Sequence, residues 1–126
     1  MTKRKPKIIN QIALLDAISK LPNPMFDKKH NLYIYIDKGR ARSNQTRVEH
    51  IVDYSHNLKV RDIKSISLGV NKYFSYNKDP VYKDTFNYYL IRKGLDKGFI
   101  KISIQIDGSD KTKAWIKTIF ITYCIK

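Results

Sequence analysis

The stretch TFNYYLIRKGLDKGFIKISIQIDGSDKTKAWIKTIFITYCI, residues 85–125, decides the fold. Its middle segment, FIKISIQID (99–107), places Ile100, Ile102, Ile104 and Ile106 on one side and Lys101, Ser103 and Gln105 on the other. Strict alternation of this kind is the mark of a strand with one face in the core. TFNYYLIRK (85–93) before it reads as a second strand, and the segment from Gly94 to Gly98 turns the chain between them. After the turn GSDKTK, the run AWIKTIFITYCI (114–125) is apolar on both faces and is expected to be a central strand. Three consecutive strands with short turns predict an antiparallel meander.

Upstream the period changes. Ile8, Ile12, Leu15 and Ile18 or Ser19 recur at helical spacing until Pro22 and Pro24 end the pattern, which predicts an amphipathic helix over about 7–20 with that stripe against the core. LYIYID (32–37) alternates again and predicts a strand, followed by the basic loop RARSNQ. Thr46-Arg47-Val48-Glu49 has the form of a capping box, in which the Glu49 carboxylate reaches back to the Thr46 amide. A helix over about 47–57 is expected to follow, then a second from 61 to about 68 with Ile63 and Ile66 inward. The fold class is therefore α+β: N-terminal helices packed on one face of a sheet of about four antiparallel strands, formed mainly by the C-terminal half. At 126 residues the chain is expected to be one domain, with a helix and strand in 1–45 and the main core in 46–126.

Charge points to the partner. Lys and Arg number 25 against 11 Asp and Glu, a formal net charge of +14, and the excess runs from Lys3 to Lys126 rather than sitting in one tail. A folded surface of that charge attracts polyanions, through counterion release and long-range steering. No apolar run approaches the roughly 20 residues that span a bilayer, and the N-terminal apolar stretch is interrupted by Asn10, Gln11 and Asp16, so a soluble, cytoplasmic protein without membrane partners is expected. A lone Cys124 builds neither a disulfide framework nor a zinc site, and its apolar surroundings predict a buried small hydrophobe.

Metal and cofactor chemistry find no support: His30, His50 and His56 lack ligand spacing, and there is no phosphate-binding loop, dinucleotide fingerprint or nucleophile elbow. RNA carries its own nucleophile in the 2′-hydroxyl, so cleaving it requires a base, an acid and a cation at the phosphate. His50 shares a helical face with Arg47, and Arg61 opens the next helix, so His50 is the candidate acid or base and Arg61 the candidate cation. The competing reading of His50 is a solvated helix residue. Glu49, the sole glutamate, is explained by the capping box without any function. His56 lies about 120° round the helix from His50 and is the alternative acid–base residue. Arg40, Arg42, Arg47, Arg92, Lys101 and Lys117 are candidate phosphate contacts, and one of Tyr88 and Tyr89, which point to opposite sheet faces, is a candidate to stack a base.

The order of these features resembles the phage-associated barnase/EndoU/colicin/RelE-like nuclease families, also called the BECR fold. The likeness lies in a helix bearing His50-Ile51 with His56 after it, a following aliphatic helix, YYLIRK, an alternating strand, and a last strand of the form aromatic-x-Lys-Thr-x-Phe. It covers residues 46–126. The resemblance implies a metal-independent endoribonuclease effector or toxin acting in a bacterial cell, with its site on the sheet face opposite the helices and an acidic immunity or antitoxin protein as partner. It assigns the helix histidine to His50 or His56, the strand threonine to Thr118, and the strand tyrosine to Tyr88 or Tyr89. Two readings compete. The two short helices and a following hairpin can form a winged-helix DNA-binding regulator. A nuclease-like fold without catalysis can also block a host nucleic-acid machine.

Overall fold

The computed structural model describes residues 4–36, 58–92, 94 and 97–125, with side chains from residue 11 onward. Helix α1 (Arg4–Ser19) ends where Pro22 forbids its continuation. Two short strands follow, β1 (Met25–Asp27) and β2 (Leu32–Tyr35). Then come helices α2 (Val60–Lys64) and α3 (Ile66–Gly69), and strands β3 (Ser75–Lys78), β4 (Thr85–Ile91), β5 (Phe99–Ile106) and β6 (Lys113–Thr122). The α+β class and the three C-terminal strands agree with the sequence.

The sheet is larger than expected and mixed. Its order is β1-β2-β6-β5-β4-β3, and β2 runs parallel to β6, with Ile34 opposite Ala114 and Tyr35 opposite Trp115. The block β6-β5-β4-β3 is antiparallel throughout, so the four-stranded antiparallel sheet expected from sequence is part of a six-stranded one. A parallel pair joins strands far apart in the chain, here β2 and the last strand, and no local turn signal announces it. The N-terminal strands thus belong to the same sheet as the C-terminal half.

The sheet curls until its two edges approach. His30, in the β1–β2 turn, stacks on Tyr76 of β3 with ring centres 3.9 Å apart. Asn71 brackets the free edge of β1: its Oδ1 accepts from the Lys28 amide (3.0 Å) and its Nδ2 donates to the Phe26 carbonyl (2.8 Å). The edge strand's unpaired backbone groups are thereby used internally.

The inner face of the curl holds the core. Ile34, Tyr88, Ile100, Ile102, Ile104, Ile116 and Ile119 bury against Leu14, Ala17 and Ile18 of α1 and Ile63 and Ile66 of the short helices. The described helices therefore pack on this face. Gly69 lets α3 approach β4, since a Cβ there would collide with the Leu90 side chain. Asn23 ties the chain after α1 to the end of β2, accepting from the Ile36 amide at 3.0 Å and donating to its carbonyl at 3.2 Å.

Three local expectations need correction. The buried stripe of α1 is Leu14, Ala17 and Ile18, and Ile12 is 60% exposed, because α1 meets the sheet one position round from the stripe that apolar spacing suggests. The helix over 61–68 is two short helices separated at Ser65, whose amide still bonds the Arg61 and Asp62 carbonyls. Cys124 lies after the end of β6 and is exposed, not buried. The capping box at Thr46 and the helix over 47–57 lie outside the described residues.

Candidate nucleic-acid interface

The outer face of the sheet, away from the described helices, carries a group of polar and cationic side chains. A bulge in β6 decides which ones. Ser103 pairs with Thr118 but the next residue, Ile104, pairs with Ile116, so Lys117 is the extra residue. Ala114 and Ile116 point inward before it, and Ile119 and Ile121 after it. Without this shift in phase, Thr118 and Phe120 would point into the core. With it, Thr118, Phe120 and Thr122 face outward.

Across the outer face runs a row of small polar groups: Asn77 on β3, Asn87 on β4, Ser103 on β5 and Thr118 on β6. Ser103 Oγ donates to Asn87 Oδ1 at 2.6 Å, and Asn87 Nδ2 donates to Asp79 Oδ2 at 3.1 Å. Asp79 Oδ1 also accepts from the Val81 and Tyr82 amides, at 2.8 and 2.9 Å. These bonds, the two amides foremost, hold its carboxyl down at about 2. They also fix the β3–β4 loop so that Tyr82 lies over Lys117, whose Nζ is 4.6 Å from the ring centre and 3.5 Å from Thr85 Oγ1.

Lys101 is held in a similar way. Its Nζ lies 5.3 Å from the Phe120 ring centre and 5.8 Å from that of Tyr89. Among the described residues the ion pairs are Lys20–Asp16, His30–Asp27 and Arg92–Asp62, so neither Lys101 nor Lys117 has a carboxylate partner there. Two ammonium groups are thus positioned by π faces and a hydroxyl, and the Asp79 carboxylate acts on Lys101 from beyond ion-pair distance. Such groups are available to phosphate oxygens.

Along the same face, toward β1, lie aromatic rings. Phe26 stands opposite Tyr33 with ring centres 4.7 Å apart, and Tyr35 meets Trp115 at 4.8 Å. Lys113 Nζ is 5.9 Å from the Tyr35 ring centre.

Comparison with known protein families, curated proteins and solved structures gives no match. The chemistry of the face is then the ground for its function. Of the residues singled out in the sequence, Thr118, Lys101 and Lys117 come together on it. Tyr89 is also on this side, but it is 1% exposed, beneath Lys101 and edge-on to Phe99, so its ring is covered. Tyr88 points into the core. Arg92 is buried: its Nε and Nη2 donate to the two Asp62 oxygens at 3.1 and 2.9 Å, and Nη1 donates to the Lys97 carbonyl at 2.9 Å. Its guanidinium closes the β4–β5 turn onto α2 and is not presented to solvent as a phosphate contact. Arg61 belongs to the helix layer, its Nη1 3.6 Å from where a Cβ on Gly94 would stand, whereas Thr118 faces away from that layer. His50, His56, Arg40, Arg42 and Arg47 lie outside the described residues.

A second polar cluster was not singled out from sequence. Asp27 is fully buried at the end of β1, accepting from Tyr88 Oη and from the His30 amide (3.2 Å), with His30 Nδ1 2.7 Å from its Oδ2. Burial, with the Asp27 charge second, raises the Tyr76 phenol to about 12; burial and the bond to Asp27 raise Tyr88 further. The Asp-x-x-His spacing is visible in the sequence. Its tyrosine partners, 61 residues away in the case of Tyr88, are not.

Proposed function

We propose that this chain binds single-stranded RNA along the outer face of its sheet. The observation that carries the reading is the pair Lys101 and Lys117, held over Phe120 and Tyr82 with no carboxylate partner among the described residues. Thr118 stands beside them on the same face, while Asn87 and Ser103 are buried beneath it and bonded to each other and to Asp79. Ammonium groups at fixed positions supply counterion release, and a threonine hydroxyl bonds a phosphate oxygen. A sheet face with basic and aromatic groups suits a single strand whose bases are unstacked, which a narrow duplex groove does not offer. The net charge of +14 supports the same partner.

Metal-independent RNA cleavage is the second reading. The bulge at Lys117 favours it, because it brings Thr118 out beside a lysine, at the strand position that the nuclease resemblance assigns to the site. Both readings meet in one experiment. Purified protein is titrated into labelled single-stranded RNA in EDTA, with anisotropy reporting binding and a denaturing gel reporting scission. Binding that is lost in a Lys101→Ala/Lys117→Ala variant supports the interface, and unchanged binding in that variant removes it. Scission in EDTA that disappears in Thr118→Val adds the catalytic reading, and intact RNA removes it.

A further inference from the structure

Resting on the reading of the outer face as an RNA interface, we infer that the strip Phe26, Tyr33, Tyr35 and Trp115 is a stacking platform for unpaired nucleobases. The inward residues of the β1–β2 hairpin, Met25, Asp27, Leu32 and Ile34, are all buried and account for its packing on the core. Phe26 and Tyr33 are not needed there and stay 37% and 43% exposed. Their rings lie against each other at 4.7 Å and 35°, forming a continuous apolar surface rather than two separate side chains.

The strip continues along the strand. Tyr33 and Tyr35 share the outer face at a spacing of roughly 7 Å, two strand residues. Tyr35 then tilts onto Trp115 at 4.8 Å and 37°. Charge complementarity selects the occupant: Lys113 stands opposite Tyr33 in the register and over the Tyr35 ring, and Lys117 follows two residues beyond Trp115. Alternating rings and ammonium groups match a chain that alternates bases with phosphates. A purely anionic polymer without bases would use the lysines and leave the rings idle.

Cross-strand aromatic pairs also stabilise short hairpins, and the test must separate that role from stacking. Three probes of equal length are offered to the full chain: single-stranded oligoadenylate, an abasic ribose-phosphate oligomer and duplex RNA. Trp115 is the sole tryptophan, so its fluorescence reports stacking directly. The expected result is quenching by oligoadenylate but not by the abasic oligomer or the duplex. Phe26→Leu/Tyr33→Leu, which keeps the hairpin apolar, is expected to weaken oligoadenylate about tenfold and leave the abasic oligomer unchanged. Equal affinity of the unaltered chain for oligoadenylate and the abasic oligomer, without quenching, overturns the platform while the phosphate interface stands. Binding to none of the three removes the interface as well. Should the double variant not fold, quenching in the unaltered chain still decides the question.

Discussion

Asp27 and Arg92 show at the residue scale how this chain handles buried charge. Asp27 is met by groups from two places in the sequence: the amide and ring of His30 in the adjoining turn, and the Tyr88 hydroxyl on β4. Tyr88→Phe removes one donor from a buried carboxylate while preserving shape. It is expected to cost about 1–3 kcal/mol, read as a lower urea midpoint at unchanged slope. The Arg92 guanidinium meets Asp62 through two parallel hydrogen bonds, and both side chains are buried. Removing one partner strands the other's charge, so Arg92→Ala is expected to lose about 3–5 kcal/mol by the same measurement. Asp62 has a further duty, accepting from the Lys59 amide at the start of α2 at 2.9 Å. Sequence identified Arg92 as a cation and hence as a phosphate contact. Its inward direction depends on Asp62, which stands 30 residues earlier and carries no local signal.

The elements that shape the candidate site are a bulge, a glycine turn and a loop. Gly98 enters β5 with φ +88°, and a Cβ there would stand 2.8 Å from the Thr122 carbonyl. Gly98→Ala is therefore expected to be strained on both counts and to open the β5–β6 pairing at Thr122, seen as faster amide exchange at that end of the sheet. The β3–β4 loop depends on the ionised Asp79 carboxylate. Its folded-state pKa lies below the ordinary 3.8, at about 2, so its contribution is whole above pH 3.8 and is lost as pH falls toward 2. Tyr82 is expected to leave Lys117 over that window, which NMR shifts of the Tyr82 ring can follow. Asp79→Asn is expected to flatten that response. The strands themselves were legible from alternation in 85–125, and the helix from Pro22 and Pro24. The bulge was written there too, as Ala114 and Ile116 giving way to Ile119 and Ile121, but a run apolar on both faces concealed the change of phase.

For the whole molecule, the consequence of curling is a division of labour between two faces. Apolar groups and helices fill the inside, while the outer face keeps lysines, hydroxyls and aromatic rings. A net charge of +14 makes any polyanion binding steeply salt-dependent. If Lys101 and Lys117 each contact one phosphate, replacing either with Ala lowers the slope of log affinity against log salt by about 1. A lysine outside the face, such as Lys20, which is paired with Asp16 at 3.1 Å, is expected to change it less. Titrations at several salt concentrations check both statements.

By itself the sequence determined the α+β class, the first helix, the β2 strand, the three C-terminal strands and the net charge of +14. Each of these rests on local periodicity or on a sum over residues, which distance in the chain does not affect. Tertiary structure alone decided the parallel β2–β6 pairing, the six-stranded curl, the burial of Arg92 and Tyr89, and the meeting of Asp27 with Tyr88. Those depend on which distant segments touch. A lysine reads the same in sequence whether it ends in a carboxylate's grip or over an aromatic ring, and only the fold distinguishes the two.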